Sequence, residues 1–300
     1  MIARFAAAAM GTRFELALEG SDEVRLRAIS EEAFEELRAL EAHWTGFGEA
    51  SLVAKVNRLA AERPVALDEE TYALLDEALS VARASRGAFD PTLGALMARH
   101  GFRGDADAGA PVAWGYEHVH LDADARTVTF DRPGLRLDLG AIAKGRALDL
   151  LAELLREHGV ERALLHGGTS AVVALGAPTG ADAWLVALGP EPDAPRARLA
   201  GRALAVSASR GRVSEAGGHV LDASRGAPAP AATACVLAPT AAGADAWATA
   251  LCAQPDLELP PALSALHRAD APEAADAPWR PLGAPTNDFL HPALQRELPA

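Results

Sequence analysis

The clearest chemical signal in the sequence is the segment at residues 137–145, which reads LDLGAIAKG. Alternation of apolar and polar residues predicts a strand over 135–139 that places Asp138 near its end, and Gly140 permits a turn into a helix. Lys144, one of only two lysines in the chain, falls in the first turn of that helix. A positive helix end beside an ammonium group suits an anionic ligand such as a pyrophosphate. The alternative interpretation makes Asp138 a helix cap and Lys144 a solvated charge.

A second signal is the pair Asp245 and Thr249, which lie four residues apart in ADAWATA. On a helix this spacing puts the carboxylate and the hydroxyl on one face. Hard oxygen ligands of this kind fit Mg²⁺. The alternative is a helical threonine whose hydroxyl bonds to the carbonyl of the preceding turn.

His219 follows two glycines and precedes an apolar segment. A neutral imidazole in such a setting is a candidate general base, although a single histidine is also compatible with a purely packed or exposed role. The loop at residues 87–94, GAFDPTLG, places Phe89 and Asp90 between glycines and a proline. It suits contact with a flat ring, and its alternative is a helix–loop junction in which Phe89 fills the core.

Helices and strands predicted from periodicity and capping residues have to position these groups. Helices are predicted at 21–43, 51–59, 68–85, 141–158 and 241–253, and strands at 11–18, 118–122, 127–130, 135–139, 162–165, 171–175, 184–188 and 203–207. The first ten residues resemble a short signal peptide but run directly into the first predicted strand, so a cytoplasmic protein is expected. The predicted class is α+β, with mixed helices and a largely antiparallel sheet in one domain over 1–254 and a Pro/Ala-rich tail over 255–300.

Composition excludes several classes of protein. The 300 residues are 50% hydrophobic, which is enough for a large buried core, and the net charge is −13. No run of basic residues is available to bind nucleic acid, so no nucleic-acid partner is expected. No stretch approaches the ~20 apolar residues of a membrane span. The two cysteines, Cys235 and Cys252, indicate neither a disulfide framework nor a zinc site.

In their order and spacing these segments resemble the FAD:protein FMN transferase family, the ApbE-type flavin transferases. The resemblance extends from residue 10 to about residue 251. The matching segments are MGT at 10–12, FDPTLG at 89–94, DLGAIAKG at 138–145, GG at 167–168, HVLD at 219–222 and DAWATA at 245–250. Ala141 stands where the family has a second glycine, and His166 where it has an asparagine. The resemblance implies a single ApbE-like α+β domain.

What the resemblance implies for function is an enzyme that binds FAD and Mg²⁺ and cleaves the pyrophosphate. It would transfer FMN to a Thr or Ser hydroxyl of a target flavoprotein and release AMP. The metal would be held by Asp245, Thr249 and the backbone carbonyl of Ala141. His219 would be the general base that deprotonates the acceptor hydroxyl. The residues implied to bind FAD are Met10, Phe47, Ala88, Phe89, Asp90, Asp138, Lys144 and Val220.

Two other functions stay open at this stage. An FAD pyrophosphatase would use the same site with water as acceptor and give free FMN and AMP. A non-catalytic FAD-binding protein would hold intact FAD in the presence of Mg²⁺. The fate of the FMN, bound to protein or free, distinguishes the two enzymes.

Overall fold

The computed structural model describes residues 1–46, 50–103, 111–189, 194–209, 213–214, 217–269, 279–282 and 288–290. Within them the α-helices are α1 Glu23–Trp44, α2 Leu52–Leu59, α3 Glu69–Ala84, α4 Gly94–Arg99, α5 Ala143–Glu157 and α6 Ala241–Ala253. The strands are β1 Ile2–Ala9, β2 Thr12–Glu19, β3 Val65–Ala66, β4 Val119–Asp122, β5 Thr127–Phe130, β6 Ala163–Gly167, β7 Ala171–Leu175, β8 Trp184–Ala187, β9 Arg196–Leu199, β10 Ala203–Ala208, β11 Val213–Ser214, β12 Gly217–Gly218, β13 Leu221–Asp222, β14 Ala227–Pro228, β15 Ala232–Ala238, β16 Ser264–Ala269, β17 Arg280–Leu282 and β18 Phe289–Leu290.

The main sheet has eight strands in the order β1-β2-β6-β7-β10-β15-β16-β17, and each neighbouring pair is antiparallel. One face is covered by helices, with α6 lying on β10 and β15 and packing in turn against α5 and α3. The other face, over its central strands, is covered by a small sheet of β18, β9 and β8. These layers confirm the predicted α+β class with a largely antiparallel sheet.

Strand β15 shows how the two cores are separated by the sheet. All seven of its residues are buried. Ala234 and Val236 belong to the core on the helical side, whereas Cys235 and Leu237 pack with residues of the small sheet on the opposite face. Successive side chains of a strand point to opposite faces, so an apolar run without alternation is what a strand buried on both sides requires.

The predicted helices are all present, and their ends follow the capping residues. The side chain of Asp68 accepts from the N–H of Thr71 at the start of α3, and Ser51 does the same for Ala54 at the start of α2. The side chain of Asp22 caps α1, which begins at Glu23, two residues later than predicted. Helix α5 begins at Ala143, two residues later than predicted. Side-chain acceptors at these positions satisfy N–H groups that have no partner within the helix.

The prediction of a strand at 135–139 is wrong. The segment is extended, but Leu135 and Arg136 form only isolated bridges, and no ladder follows. Its backbone groups bond elsewhere: the Asn57 side-chain amide donates to the carbonyl of Leu137 and accepts from its N–H, and the N–H of Asp138 donates to the carbonyl of Pro91. Because a side chain and a loop satisfy these groups, the segment needs no neighbouring strand.

The chain beyond residue 254 contributes to the main sheet. Strand β16 pairs with β15 over six residues, β17 pairs with β16, and β18 pairs with β9 in the small sheet. The folded sheet therefore continues past the boundary predicted at residue 254, and residues 264–269 are an integral strand. Helix α4 and strands β9 and β15 are further elements that the sequence patterns did not predict. Within the described part of the chain, no helix is long and apolar enough to cross a bilayer.

Candidate active site

A cleft of about 980 Å³ opens where the β1–β2 turn, the loop before α4, the start of α5 and the segment around His219 meet. Its volume lies at the upper end of the range for small-molecule sites. Ten of the twelve residues predicted for the site line this cleft: Met10, Ala88, Asp90, Asp138, Ala141, Lys144, His219, Val220, Asp245 and Thr249. They come from distant parts of the chain, and the fold brings them together.

Of the other two predicted residues, one is buried in the core and one lies outside the described residues. Phe89 is 2% exposed and packs in the main core. This matches the alternative interpretation of the loop, in which Phe89 fills the core. Phe47 lies outside the described residues. The neighbouring Ala88 and Asp90 line the cleft on either side of the inward-pointing Phe89.

Asp138 is held by an arginine that the sequence analysis did not identify. Nε of Arg103 donates to Oδ2 of Asp138 at 2.6 Å, and a second guanidinium nitrogen lies 3.3 Å from Oδ1. Oδ1 also accepts from the N–H of Gly140 at 2.8 Å, which closes the turn into α5. A side chain on Gly140 would collide with this pair, because its Cβ would lie 2.9 Å from Oδ1 of Asp138. Asp138 is thus both a turn residue and a charged group of the cleft.

Lys144 and Asp245 form an ion pair between the starts of α5 and α6. Nζ of Lys144 lies 3.4 Å from Oδ2 of Asp245 and donates to the carbonyl of Gly140 at 2.7 Å. The Asp245 side chain is 3% exposed, so its charge is buried except toward the cleft. The N–H groups of Ile142 and Ala143 donate to the carbonyl of Leu139, so the turn itself satisfies these two donors at the helix start.

Thr249 lies one helical turn after Asp245, on the same side of α6. Its Oγ1 donates to the Asp245 carbonyl at 3.1 Å and lies 3.1 Å from Oγ of Ser207 on β10. The back-bond is the one that the alternative interpretation expected for a helical threonine. A hydroxyl oxygen keeps lone pairs while it donates, so this bond leaves Thr249 able to act as a ligand.

Asp90 forms the centre of a rigid loop. Its Oδ1 accepts from the N–H and the hydroxyl of Thr92 at 2.8 and 2.6 Å, and its Oδ2 accepts from the N–H of Tyr116 at 3.2 Å. Burial raises the pKa of this carboxyl above its ordinary value, and the Thr92 bonds oppose that shift. The Thr92 hydroxyl in turn accepts from the N–H of Gly115, which ties the loop to the segment before β4.

His219 lies in a short segment between β12 and β13, with its ring at the cleft wall. The ring stacks edge-on against Phe102, with centroids 6.4 Å apart and planes at 68°. The preceding Gly218 approaches the Ser209 carbonyl so closely that a Cβ there would lie 2.5 Å from the oxygen. The glycine therefore sets the path of the backbone that carries the histidine.

An apolar wall faces these polar groups. Leu93, Met97, Phe102 and Leu221 line the cleft and belong to a small separate cluster that also contains Trp114. Apolar side chains with a few convergent polar groups are typical of a site that binds an aromatic ligand.

Asn57 and Arg103 are the functional candidates that the sequence analysis missed. Each lines the cleft and fixes the segment that carries Asp138. Asn57 lies within an ordinary amphipathic helix and Arg103 after a short one, and neither belongs to a recognisable motif. Only their proximity in the fold shows what they contact.

Most of the chain is similar to known proteins. A sequence model of the family described as ApbE matches residues 10–269. The chain belongs to the ApbE family. Two of its curated relatives, both named FAD:protein FMN transferase, come from Treponema pallidum and Klebsiella pneumoniae. The first is 36% identical over 164 residues, which cover 50% of this chain and 45% of that protein. The second is 28% identical over 265 residues, which cover 81% of this chain and 75% of that protein.

Solved structures of ApbE proteins have the same fold. The ApbE protein of Thermotoga maritima aligns with a TM-score of 0.77 at 26% identity, over 90% of this chain and 94% of that one. The flavin transferase ApbE of Vibrio cholerae aligns with a TM-score of 0.75 at 20% identity, over 94% of this chain and 96% of that one. The single ApbE-like domain expected from the sequence is therefore confirmed at the level of the fold.

Proposed function

We propose that this ApbE-family chain is a flavin transferase that cleaves FAD and attaches FMN to a hydroxyl of a target flavoprotein, with AMP as the other product. The relatives described above carry the name FAD:protein FMN transferase. The observation that carries the proposal is the Lys144–Asp245 pair, which joins the starts of two helices inside a cleft of about 980 Å³. Thr249, Asp138 and His219 line the same cleft.

The donor set at the start of α6 fits Mg²⁺. Asp245 has a buried carboxylate and Thr249 a hydroxyl at the cleft, and Ala141, whose carbonyl the resemblance implies as the third ligand, lines the same cleft. Within the described residues no group of three or more His, Cys, Asp or Glu side chains is arranged to hold a metal. A site with one carboxylate is typical of Mg²⁺ bound together with substrate phosphates and water. Bound there, Mg²⁺ would neutralise charge that develops as the phosphoanhydride breaks.

The side chains of the cleft have separate roles in the transfer. Lys144 would bind the anionic pyrophosphate, and the Arg103–Asp138 pair would orient the nucleotide beside it. His219 would accept the proton of the acceptor hydroxyl as that oxygen bonds to the phosphorus of the FMN half. The bond from that phosphorus to the AMP oxygen breaks, and AMP leaves. A hydroxyl with an ordinary pKa is a weak nucleophile, which is why a base at this position matters.

The apolar wall of the cleft suits the aromatic part of the substrate. Leu93, Met97, Phe102 and Leu221 offer a surface for a flat ring. Met10, Ala88 and Val220 add apolar contacts elsewhere at the cleft. Predictions that remain with the proposal are the Thr or Ser identity of the acceptor residue, a role for Phe47 and a cytoplasmic location.

The decisive experiment incubates the purified protein with FAD and a flavoprotein that offers Thr or Ser hydroxyls as acceptors, with and without Mg²⁺, and follows AMP by chromatography. We expect AMP only with Mg²⁺, and a loss of roughly 100-fold or more in Asp245→Ala because a charged group at the reacting phosphates is removed. Asp182→Asn, an exposed carboxylate paired with Arg198, is the matched control and should release AMP normally. Intact FAD recovered from the wild type with Mg²⁺ and a hydroxyl-bearing acceptor present would contradict the proposal.

The same reaction distinguishes the transferase from a pyrophosphatase. Mass spectrometry of an added flavoprotein should show an FMN adduct on a Thr or Ser when AMP appears. Free FMN in an amount equal to AMP, with acceptor present, would instead establish water as the acceptor. A His219→Gln variant should slow adduct formation while retaining FAD binding.

A further inference from the structure

Helix α6, which carries Asp245 and Thr249, is attached at its first residues to a side chain of α5. Oδ1 of Asp149 accepts from the N–H of Ala241 at 2.8 Å, and Oδ2 accepts from the N–H of Ala242 at 2.9 Å. Both oxygens of one carboxylate thus satisfy two N–H groups that have no partner within α6. A negative charge at this end is also favoured by the helix dipole.

The two helices cross by backbone contact at the same point. A Cβ on Gly145 would overlap the carbonyl of Ala241 and lie 2.6 Å from the nitrogen of Ala242. Gly145 and Asp149 are four residues apart and therefore share one face of α5. The glycine permits the close approach, and the carboxylate fixes where along α5 the end of α6 lies.

Both residues of the Lys144–Asp245 ion pair lie close in sequence to this attachment. Lys144 directly precedes Gly145, and Asp245 follows Ala241 by about one helical turn. The 3.4 Å separation between Lys144 Nζ and Asp245 Oδ2 is therefore set by how α6 docks on α5. Asp149 itself does not line the cleft.

We infer that Asp149 is a positioning residue that fixes Asp245 and Thr249 relative to Lys144, and through them the affinity of the site for a divalent cation. The inference rests on the proposed function for its metal, but its geometry is a property of the two helices alone. A carboxylate that holds a ligand-bearing element acts as an outer-shell partner does in metal sites, where its loss typically lowers metal affinity 10- to 100-fold.

Other charged groups surround Asp149 and contribute to the electrostatics that an Asp149 variant would alter. Glu77 of α3 and Arg146 of α5 act electrostatically on Asp149, and burial raises the pKa of Asp149 to about 6. A guanidinium nitrogen of Arg146 lies 2.7 Å from Oε2 of Glu70, and Arg146 also interacts electrostatically with Glu153. Asp149→Asn keeps the size of the side chain but replaces one acceptor by a donor that faces an N–H group.

The test compares Mn²⁺ binding, followed by the EPR signal of the free ion, in the wild type, Asp149→Asn and Thr240→Ala. Thr240 caps the same helix end through its own side chain, which accepts from the N–H of Gly243, so its variant weakens the cap without detaching α6 from α5. We expect roughly 10-fold weaker Mn²⁺ binding in Asp149→Asn and unchanged binding in Thr240→Ala, even if both melt earlier. Asp149→Glu, with the charge kept and the reach lengthened, replaces Asp149→Asn if that variant does not fold and should also weaken binding.

Several outcomes overturn the inference. Equal Mn²⁺ affinity in the wild type and in the Asp149 variants would do so, as would equal losses in Asp149→Asn and Thr240→Ala, or no Mn²⁺ binding by the wild type. AMP release from FAD by the wild type with the flavoprotein acceptor present, measured in parallel, reports on the proposed function separately. Weaker Mn²⁺ binding in Asp149→Asn together with no AMP from the wild type in the presence of that acceptor would support the positioning role and reject the transferase.

Discussion

At the scale of single residues, the cleft contains two carboxylates that are each matched by a cation. Asp245 pairs with Lys144, and Asp138 pairs with Arg103. A carboxylate removed from water without such a partner would be strongly destabilising, so each cation offsets the cost of burying its carboxylate. Under the proposed function, an anionic substrate would bind by taking over contacts of the two cations, which these pairs already hold at the cleft.

The pKa of Asp149 gives a prediction about stability and pH. Burial raises this pKa to about 6 from an ordinary 3.8, so the folded protein binds the proton more tightly than the unfolded chain does. The stability gained from protonation is fully present below about pH 4 and is lost as the pH rises through about 6. Relative to Asp149→Asn, the wild type should lose on the order of 3 kcal/mol of unfolding free energy between pH 4 and pH 7.

Urea denaturation at four pH values between 4 and 7 measures this difference. Asp182→Asn is the control, because its hydrogen bond from Arg198 lowers the pKa of Asp182. The stability difference between the wild type and Asp182→Asn should stay nearly constant between pH 4 and 7, because a lowered pKa affects stability mainly below the ordinary value of 3.8. A wild-type advantage over Asp149→Asn that stays constant with pH would contradict the prediction.

Sequence patterns predicted site residues where a motif supplies the spacing. Lys144 follows Asp138 by six residues, and Thr249 follows Asp245 by four, so local geometry brings each pair near one place. Arg103 and Asp149 belong to no such pattern. Their roles depend on contacts with groups 35 and 92 residues away in the chain. Contacts of that range follow from tertiary structure and leave no local signal.

At the scale of elements, the turn of the β1–β2 hairpin contains a residue with a strained backbone that also lines the cleft. Its two-residue turn places Met10 at φ 50° and Gly11 at φ 69°. Both angles suit a type I′ turn, which connects tightly paired strands. This type of turn favours the sequence Asn-Gly over Met-Gly. A methionine in this conformation costs roughly 1–2 kcal/mol. Met10 nevertheless lines the cleft, and Glu41 of α1 accepts from its N–H at 2.7 Å.

Met10→Asn should therefore stabilise the fold and weaken substrate binding. We expect up to ~1 kcal/mol of added unfolding free energy, because asparagine tolerates the left-handed region, together with a higher KM for FAD. Arg126→Asn is the matched control: Arg126 also has a positive φ, 46°, but lies in the exposed β4–β5 turn away from the cleft. That variant should gain stability with KM unchanged. An unchanged KM in Met10→Asn would show that the strained residue has no part in binding.

Helices were more predictable than strands for a physical reason. Helix α6 has the predicted ends because Thr240 provides a cap and the apolar residues continue to Ala253. Strand β15 was missed because both faces are buried, and its residues show no period of two. The segment at 135–139 does alternate, yet Asn57 rather than a strand bonds its backbone. Alternation predicts an extended chain, and it does not predict what the backbone pairs with.

At the scale of the whole molecule, the central sheet depends on strands from both ends of the chain. Strands β1 and β2 form one edge, and β16 and β17, from beyond residue 254, form the other. Proline and alanine content made that last region resemble a tail. Its pairing with β15 is a long-range contact that composition does not reveal. The helices that carry the site, α5 and α6, rest on the strands between these two edges.

Shortening the chain tests whether the C-terminal strands are part of the fold. A chain that ends at Gln254 loses β16, which covers the edge of the fully buried β15, and β18, whose Phe289 is buried in the small-sheet core. An uncovered apolar strand edge promotes association, so this chain should aggregate or elute as large species in size-exclusion chromatography. A chain that ends at Leu290 keeps both strands and should match the full-length protein in near-ultraviolet circular dichroism and in Tm. A monomeric 1–254 chain with the full-length Tm would contradict this view and restore the domain boundary at residue 254.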